Sequence, residues 1–303
     1  MVSGRSGLVL ARDGGTFRVV TDRGEETAVL RGKAKRSRYD RVVVGDRVTL
    51  DDGDEKGTLG IAAVEPRRNL LERRTPSGRG NRPVAANLDR VYVVTAAADP
   101  HPIPQLIDRL CAIAEANEIP VALVINKSEL GSAEALAARY RHAGYEVFLV
   151  SARTGAGLEP LFQALRGRES LLTGASGVGK STILNLLQPG LALRTGEVSE
   201  KNRRGTNTTV AAVLVPLPGG GWLVDTPGFS DVGLWGIEPR ELASCFPEMR
   251  GLIDRCKFAD CTHRDEPACS IREAASIGTI HPDRYASYLI LLEELRSAPK
   301  DWE

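Results

Sequence analysis

A phosphate-binding pattern lies near the middle of the chain. Residues 174–181 read Gly-Ala-Ser-Gly-Val-Gly-Lys-Ser, follow an apolar run and precede a helical stretch, which is the context that G-x-x-x-x-G-K-[ST] requires. Backbone N–H groups of such a loop surround phosphates, and the helix N-terminus adds positive potential. We expect Lys180 to contact the β- and γ-phosphates and Ser181 to ligate Mg²⁺. The predicted phosphate-binding residues are Gly174, Ala175, Ser176, Gly177, Val178, Gly179, Lys180, Ser181 and Thr182.

Two segments after this loop have the residue types of nucleotide switches. Asp225-Thr-Pro-Gly228 follows a short apolar run, so Asp225 is predicted to bind Mg²⁺ and the Gly228 N–H to sense the γ-phosphate. The polar stretch 201–209 lies between. A threonine there is expected to complete the magnesium shell; we assign Thr208, with Thr209 as the alternative. The predicted catalytic set is Lys180, Ser181, Asp225 and Thr208.

Two segments before the phosphate loop have the residue types that contact a guanine base. Asn126-Lys127-Ser128-Glu129 follows the apolar run 121–125 and is similar to N-K-x-D, with a glutamate in the acidic position. Ser151-Ala152 follows the run 145–150 and is similar to the S-A-x loop, whose backbone N–H meets the guanine carbonyl. The sequence therefore predicts a GTP site, and the longer Glu129 leaves an ATPase as an alternative.

The order of these motifs along the chain is permuted. GTPases ordinarily place the phosphate loop first and the base motifs last, whereas here the base motifs come first. Because the termini of a domain often lie close together, a sheet can be cut and rejoined elsewhere and still close around the same site. We predict a circularly permuted GTPase domain that is cut after the second switch.

A cluster of cysteines and one histidine near the end of the chain predicts a metal site. Cys256-x4-Cys261-x-His263-x5-Cys269 supplies three thiolates and an imidazole, a recognised tetrahedral Zn²⁺ set with no open position. The predicted metal is therefore one structural zinc. Cys111 and Cys245 lie outside this spacing, and Cys111 is expected to pack in the core.

The elements that carry these motifs change in type along the chain. Short β-type runs separated by turn residues fill residues 1–70 and predict a small barrel, with an OB-fold as first choice and an SH3-like barrel as second. The Arg/Gly/Pro-rich residues 66–83 are expected to form a connector. From residue 88, apolar strands alternate with helical stretches, which predicts a parallel sheet with crossover helices. The predicted domains are 1–72 (OB-like), 73–235 (permuted GTPase) and 236–303 (mostly helical, zinc-binding).

Composition limits the partners and the location. The formal net charge of the 303-residue chain is +1, so any nucleic-acid affinity must come from local patches. Such a patch lies in one predicted loop of the barrel, and we assign Lys33, Lys35, Arg36 and Arg38 to RNA binding. No apolar run approaches the roughly 18 residues of a membrane span, and the first residues do not read as a signal peptide. We expect a cytoplasmic monomer that does not bind membranes.

Together the motifs identify a resemblance that covers almost the whole chain. The permuted order, GASGVGKST at 174–182, DTPG at 225–228, the Cys/His cluster and Val44-Gly-Asp-Arg-Val48 are similar to the circularly permuted ribosome-assembly GTPases of the RsgA family. The resemblance implies an OB-fold domain, a GTPase domain and a zinc domain. It also implies Mg²⁺ with GTP, the small ribosomal subunit and its 16S rRNA as partners, and hydrolysis on that subunit late in its maturation. Glu129, Asn207 and Gly236 differ from residues that are common in the family.

A second function class remains open from the sequence. The chain can also be interpreted as a nucleotide-gated RNA-binding switch with negligible catalysis of its own. Turnover measured with and without small subunits separates the two interpretations.

Overall fold

The N-terminal strands form a closed barrel. The computed structural model describes residues 5–31, 42–51, 57–74, 81–131, 133–188, 212–225, 233–234 and 237–297. The barrel strands are β1 (Arg5–Asp13), β2 (Thr16–Thr21), β3 (Gly24–Leu30), β4 (Arg47–Asp51) and β5 (Leu59–Val64). They pair in the order β1-β2-β3-β5-β4, and β4 closes on β1. Alternate residues such as Phe17, Val19 and Val48 point inward and are almost fully buried. This five-stranded Greek-key closure confirms the OB-like barrel.

A hairpin follows the barrel where the sequence predicted an irregular connector. Strands β6 (Leu70–Arg74) and β7 (Asn81–Ala86) pair antiparallel in a sheet of their own. The connector prediction was wrong because these strands lack the alternation that marks a half-buried strand. The register shifts between Leu71 and Glu72, opposite Pro83, so the proline lies at an irregularity of the ladder, where its missing N–H is tolerated.

The motif-bearing elements form an α/β sheet. Its strands are β8 (Arg90–Ala96), β9 (Val121–Asn126), β10 (Glu146–Leu149), β11 (Glu169–Thr173), β12 (Val213–Pro216) and β13 (Trp222–Asp225). Its helices are α1 (Pro104–Ala116), α2 (Glu134–His142), α3 (Leu158–Leu165) and α4 (Lys180–Leu187). The spatial order is β10-β9-β8-β11-β13-β12, parallel except for β12. The later strand β11 thus lies between β8 and β13 at the centre of the sheet, although it follows β8, β9 and β10 in the chain.

The two faces of this sheet bury different partners. On one face Tyr92, Val94 and Leu172 pack with Leu161 of α3 and Ile183 of α4. On the other, Val91, Val93 and Leu171 pack against α1 and, beyond it, the C-terminal region. Both faces are covered, so these strands read as continuous apolar runs rather than alternating ones.

The C-terminal region is built from short helices. They are α5 (Pro247–Arg250), α6 (Ser270–Ser276) and α7 (Pro282–Ser297), with 3-10 turns at Leu242–Cys245 and Ile253–Arg255. No strand occurs among the described residues from 237 to 297, as the sequence predicted. Phe246, Tyr288 and Leu291 join the core that also contains Ile107 and Leu110 of α1. The C-terminal region therefore shares its core with the GTPase sheet.

Polar contacts connect the barrel to the segment that follows it and to the α/β sheet. Asp46 is fully buried, accepts a bidentate pair from Arg67 at 2.7 and 2.9 Å, and accepts from the Val43 N–H. The next residue, Arg47, donates to Glu169 at the start of β11 at 2.7 Å. Gly45 has φ +88°, and a Cβ there would lie 2.2 Å from the Ala86 carbonyl oxygen, so this turn requires glycine. These contacts account for the Val44–Val48 motif.

In the part of the chain that the structure describes, the helices fall short of the length and apolarity that a bilayer crossing needs.

Candidate functional site

The phosphate loop lies at the carboxyl end of the central strand. β11 ends at Thr173, α4 begins at Lys180, and the loop between them contains Gly174 and Gly179 with positive φ. A Cβ on Gly174 would lie 1.9 Å from the Val94 carbonyl oxygen, and one on Gly179 would lie 2.2 Å from the Asn126 amide nitrogen. The loop can therefore take this path only with glycine at both positions. The carboxyl edge of a parallel sheet is where such folds bind ligands.

Two opposite charges of the predicted set face each other beside this loop. Lys180 Nζ donates to the carbonyls of Gly174 and Ala175 at 2.7 and 2.8 Å, so it lies back over the loop. Burial lowers the pKa of Lys180, and the nearby Asp225 opposes that shift. Burial likewise raises the pKa of Asp225, and Lys180 opposes it. Each group thus only partly compensates the burial of the other. The phosphates of a nucleotide would give Lys180 a further anionic partner, and its metal ion would give Asp225 a cationic one.

Asn126 joins the two halves of the site. Its side chain is 1% exposed, donates to the Val178 carbonyl at 2.8 Å and accepts from the Ala152 N–H at 2.9 Å. One amide thus connects the phosphate loop to the Ser151-Ala152 loop. In this structure the Asn126 side chain connects the two loops, and its predicted part in nucleotide binding stays a prediction.

The remaining base-motif residues lie around this amide. Lys127 has φ +58° and donates to the Asp99 carbonyl. A hydrogen bond from the buried Ser151 lowers the pKa of Glu129, whose side chain is exposed. The Ser128 N–H donates to the Val150 carbonyl at 3.1 Å. Glu129 is therefore an ionised acceptor at the edge of the site, the state that recognition of guanine N–H groups requires.

The predicted magnesium and switch residues are only partly described by the structure. Ser181 and Thr182 lie in the first turn of α4, next to Lys180. Thr208, Thr209 and Gly228 of the switches, and Lys33, Lys35, Arg36 and Arg38 of the barrel loop, fall in the undescribed part of the chain. The described part of the magnesium set is thus Ser181 and Asp225.

The four predicted zinc ligands converge. Their ligand atoms all lie within 4.8 Å of one another. Cys256 Sγ is 3.5 Å from His263 Nδ1 and 3.9 Å from Cys269 Sγ, and Cys269 Sγ is 3.4 Å from His263 Nδ1. Tetrahedral zinc with bonds of about 2.3 Å to sulfur and about 2.0 Å to nitrogen needs edges of about 3.8 and 3.5 Å. Burial lowers the pKa of His263, which favours the neutral, ligating imidazole. The residues therefore fit the ion.

Residues that the sequence interpretation did not single out shape this cluster. Glu266 accepts from the Thr262 N–H and hydroxyl at 2.7 Å and from the Arg264 N–H at 2.9 Å. Burial works to raise the pKa of Glu266, but these hydrogen bonds outweigh it and lower the pKa to about 2. Tyr285 and Tyr288 donate to the carbonyls of His263 and Thr262 at 2.7 and 2.8 Å. The sequence offered one signal for these contacts, which is that the acidic Glu266 lies between the ligands His263 and Cys269.

The loop before α1 also borders the nucleotide site without any motif. Its Asp99 carbonyl accepts from Lys127, and a Cβ on Gly177 would lie 3.8 Å from Pro100 Cδ. Pro100 and Ile103 of this loop line a cavity of about 180 Å³ together with Ala175 of the phosphate loop. The loop therefore contacts both nucleotide-binding segments.

Comparisons with known proteins agree with this geometry. The sequence model of the RsgA GTPase family matches residues 64–235. A relative from Gemmatimonas aurantiaca, "Small ribosomal subunit biogenesis GTPase RsgA", is 48% identical, covering 97% of this chain and 99% of the relative. A relative of the same name from Moorella thermoacetica is 41% identical, covering 95% and 97%.

Two solved structures are similar over nearly the whole chain. YjeQ from Thermotoga maritima aligns with a TM-score of 0.80 at 34% identity, covering 97% of this chain and 99% of that one. YloQ, described as a circularly permuted GTPase, aligns with a TM-score of 0.77 at 26% identity, covering 99% and 98%. The family resemblance inferred from the motifs is thereby confirmed: this chain is a GTP hydrolase and belongs to the RsgA GTPase family.

Proposed function

We propose that this GTP hydrolase acts in assembly of the small ribosomal subunit and hydrolyses GTP to GDP and phosphate when bound to that subunit. The observation that carries the proposal is the full-length similarity to a small ribosomal subunit biogenesis GTPase at 48% identity. The phosphate loop and the base loops around Asn126 support it, because they form the nucleotide site that GTP hydrolysis requires. The proposed site of action is the cytoplasm, with the protein as a monomer.

The proposed nucleotide site uses both halves of the permuted domain. Residues 174–182 hold the phosphates, with Lys180 moving from the loop carbonyls to the β- and γ-phosphates. Asn126 holds the two loops together, the Lys127 stem packs on the base, and Glu129 accepts from the guanine edge with Ser151 behind it. Ser128 and Ala152 contribute backbone N–H groups.

The proposed magnesium ligands are Ser181 and Asp225, completed by Thr208. Magnesium held by these residues would neutralise negative charge that develops on the phosphates during hydrolysis. The position after D-T-P-G is Phe229, which has neither donor nor acceptor, so no side chain there can orient the attacking water. Intrinsic hydrolysis is therefore expected to be slow, and the ribosomal subunit is expected to supply or order the missing group.

We assign a separate role to each of the three proposed domains. Residues 1–72 dock on 16S rRNA through Lys33, Lys35, Arg36 and Arg38, residues 73–235 bind and hydrolyse GTP, and residues 236–303 bind one structural zinc. The barrel supports the first role because such barrels often bind nucleic acid through their loops. Two observations support the third role: the distances among Cys256, His263 and Cys269 match tetrahedral zinc, and the Cys261 thiol lies within 4.8 Å of the other ligand atoms.

Steady-state phosphate release tests the proposal. Turnover of the full-length protein is measured alone, with purified small subunits, and with large subunits as the matched control. We expect strong stimulation by small subunits only, and none of it in Lys180→Ala. Unchanged turnover with small subunits would refute activated hydrolysis; GTP-dependent binding to the subunit without turnover would favour the switch interpretation.

The docking surface has its own test. Neutralising Lys35, Arg36 and Arg38 together is expected to weaken binding to the small subunit and to reduce its salt dependence, because fewer counterions are released. The matched control neutralises Arg12, Arg18 and Arg23, which are exposed on the same barrel. Equal losses in both variants would show that binding responds to total charge rather than to this loop.

A further inference from the structure

A buried ion cluster connects the C-terminal region to the GTPase domain. Arg284 of α7 is 1% exposed and donates to Asp108 of α1. It also donates to both carboxylate oxygens of Glu248, at 2.7 and 3.1 Å. Its guanidinium lies 4.5 Å from the centre of the Phe246 ring. One arginine thus holds two carboxylates, of which Glu248 belongs to its own region and Asp108 belongs to the GTPase domain.

Asp108 also has a partner on the helix that follows the base motif. The Tyr140 hydroxyl of α2 donates to the same oxygen of Asp108 at 2.7 Å, and the guanidinium of Arg284 lies 5.4 Å from the Tyr140 ring centre. Asp108 is 1% exposed. A carboxylate placed so deep must keep its charged partners, because a buried charge that loses them is strongly destabilising. The cluster therefore holds α1, α2 and α7 in one arrangement.

The helix held in this way begins at the nucleotide site. Asp108 is in the second turn of α1, and the loop before α1 contacts Lys127 through the Asp99 carbonyl. Pro100 of that loop lies beside Gly177. Leu106 of α1 itself lines the cavity that also contains Ala175. A shift of α1 would thus move one wall of both the phosphate loop and the base loop.

Three further ion pairs link the same elements but are partly exposed. Arg109 of α1 pairs with Glu294, Arg139 of α2 pairs with Asp283, and Glu115 of α1 pairs with Arg250. Ion pairs near the surface contribute little to stability. Asp108–Arg284 is therefore the buried ion pair that holds α1 against the C-terminal region, in addition to the apolar core that the two share.

We propose that Asp108 and Arg284 are positioning residues for nucleotide binding: the C-terminal region, through this pair, fixes α1 and the loop before it, and so sets the rate at which GDP leaves. The inference rests on GTP and GDP binding at the phosphate loop. It does not rest on the proposed role at the ribosome, because its readout needs no ribosomal subunit.

The test compares two isosteric substitutions, one in each carboxylate partner of Arg284, in the full-length, zinc-loaded protein. Asp108→Asn weakens the connection to α1, whereas Glu248→Gln weakens only the connection within the C-terminal region. In each variant Arg284 keeps one of its two carboxylate partners. Release of a fluorescent GDP is followed after addition of excess unlabelled GDP, with melting temperature and zinc content measured for both.

We expect Asp108→Asn to speed GDP release by about two- to thirtyfold, the range that mutations between coupled sites usually span. Glu248→Gln should release GDP at the wild-type rate, even if its melting temperature falls as much as that of Asp108→Asn. An unchanged rate in Asp108→Asn, or an equal increase in both variants, would overturn the proposal.

Discussion

The Asn126 amide gives a prediction whose size follows from its contacts. Asn126→Ala removes two buried hydrogen bonds, to the Val178 carbonyl at 2.8 Å and from the Ala152 N–H at 2.9 Å. Each such bond contributes a net of about 0.5–1.5 kcal/mol. Without them the nucleotide must order the two loops, so binding loses about 1–3 kcal/mol of free energy. At about 1.4 kcal/mol per factor of ten, GDP affinity should fall by roughly 5- to 150-fold.

The assay is equilibrium titration with a fluorescent GDP, repeated by calorimetry. Asn117→Ala is the matched control, since the Asn117 amide also donates to a carbonyl, that of Ile113 at 2.7 Å, but at the far end of α1. The control should keep wild-type affinity while losing a little stability. Affinity of Asn126→Ala within about twofold of wild type would refute the reasoning, because the loops would then be ordered by something other than this amide.

Three further predictions concern the metal, the base and the charge on the phosphate loop. Cys261→Ala should release zinc and lower the melting temperature measured by calorimetry, since structural zinc contributes folding free energy directly; Cys245→Ala, a buried thiol outside the cluster, should keep the ion. Glu129→Asp should bind GDP equally or more tightly in calorimetry, because the shorter acid restores the usual reach; weaker binding would contradict this. Burial lowers the pKa of Lys180, so GDP affinity should begin to fall at a pH below the ordinary lysine pKa of 10.5. In Lys180→Arg the side chain stays charged at high pH, so the affinity of this variant should fall only as far as ionisation of the nucleotide itself lowers it. Identical pH profiles for wild type and variant would contradict the assignment of the remaining fall to Lys180.

The fold was predictable where motifs and periodicity coincide. Residues 174–181 and the apolar runs before the base motifs located β9, β10 and β11 along the chain, and the motif order predicted the circular permutation. The β6–β7 hairpin was missed because Arg, Gly and Pro dominate its sequence. Its pairing depends on contacts with the barrel end, such as the bridge between Val44 and Ala85.

The site was predictable by residue type but not by role. Asn126 was identified by its motif, yet its partners Val178 and Ala152 lie 52 and 26 residues away in sequence, so only the folded chain shows that it connects loops. Arg284 gave no signal, because an arginine on an amphipathic helix is normally exposed. Its burial requires Asp108, which lies 176 residues earlier. Spacing along the chain carries no information about such pairs.

The central position of β11 has a consequence for the order of events during synthesis. Chains fold from the N-terminus as they leave the ribosome. The barrel strands are complete at Val64, so the barrel can close early. Strands β8, β9 and β10 emerge next, but the inner edge of β8 has no neighbour until β11 arrives, since Arg90 pairs with Ser170, 80 residues later. An unpaired, apolar edge is a template for wrong pairing. The permutation therefore gives the nascent protein an interval of exposure that ends when the phosphate-loop strand is made.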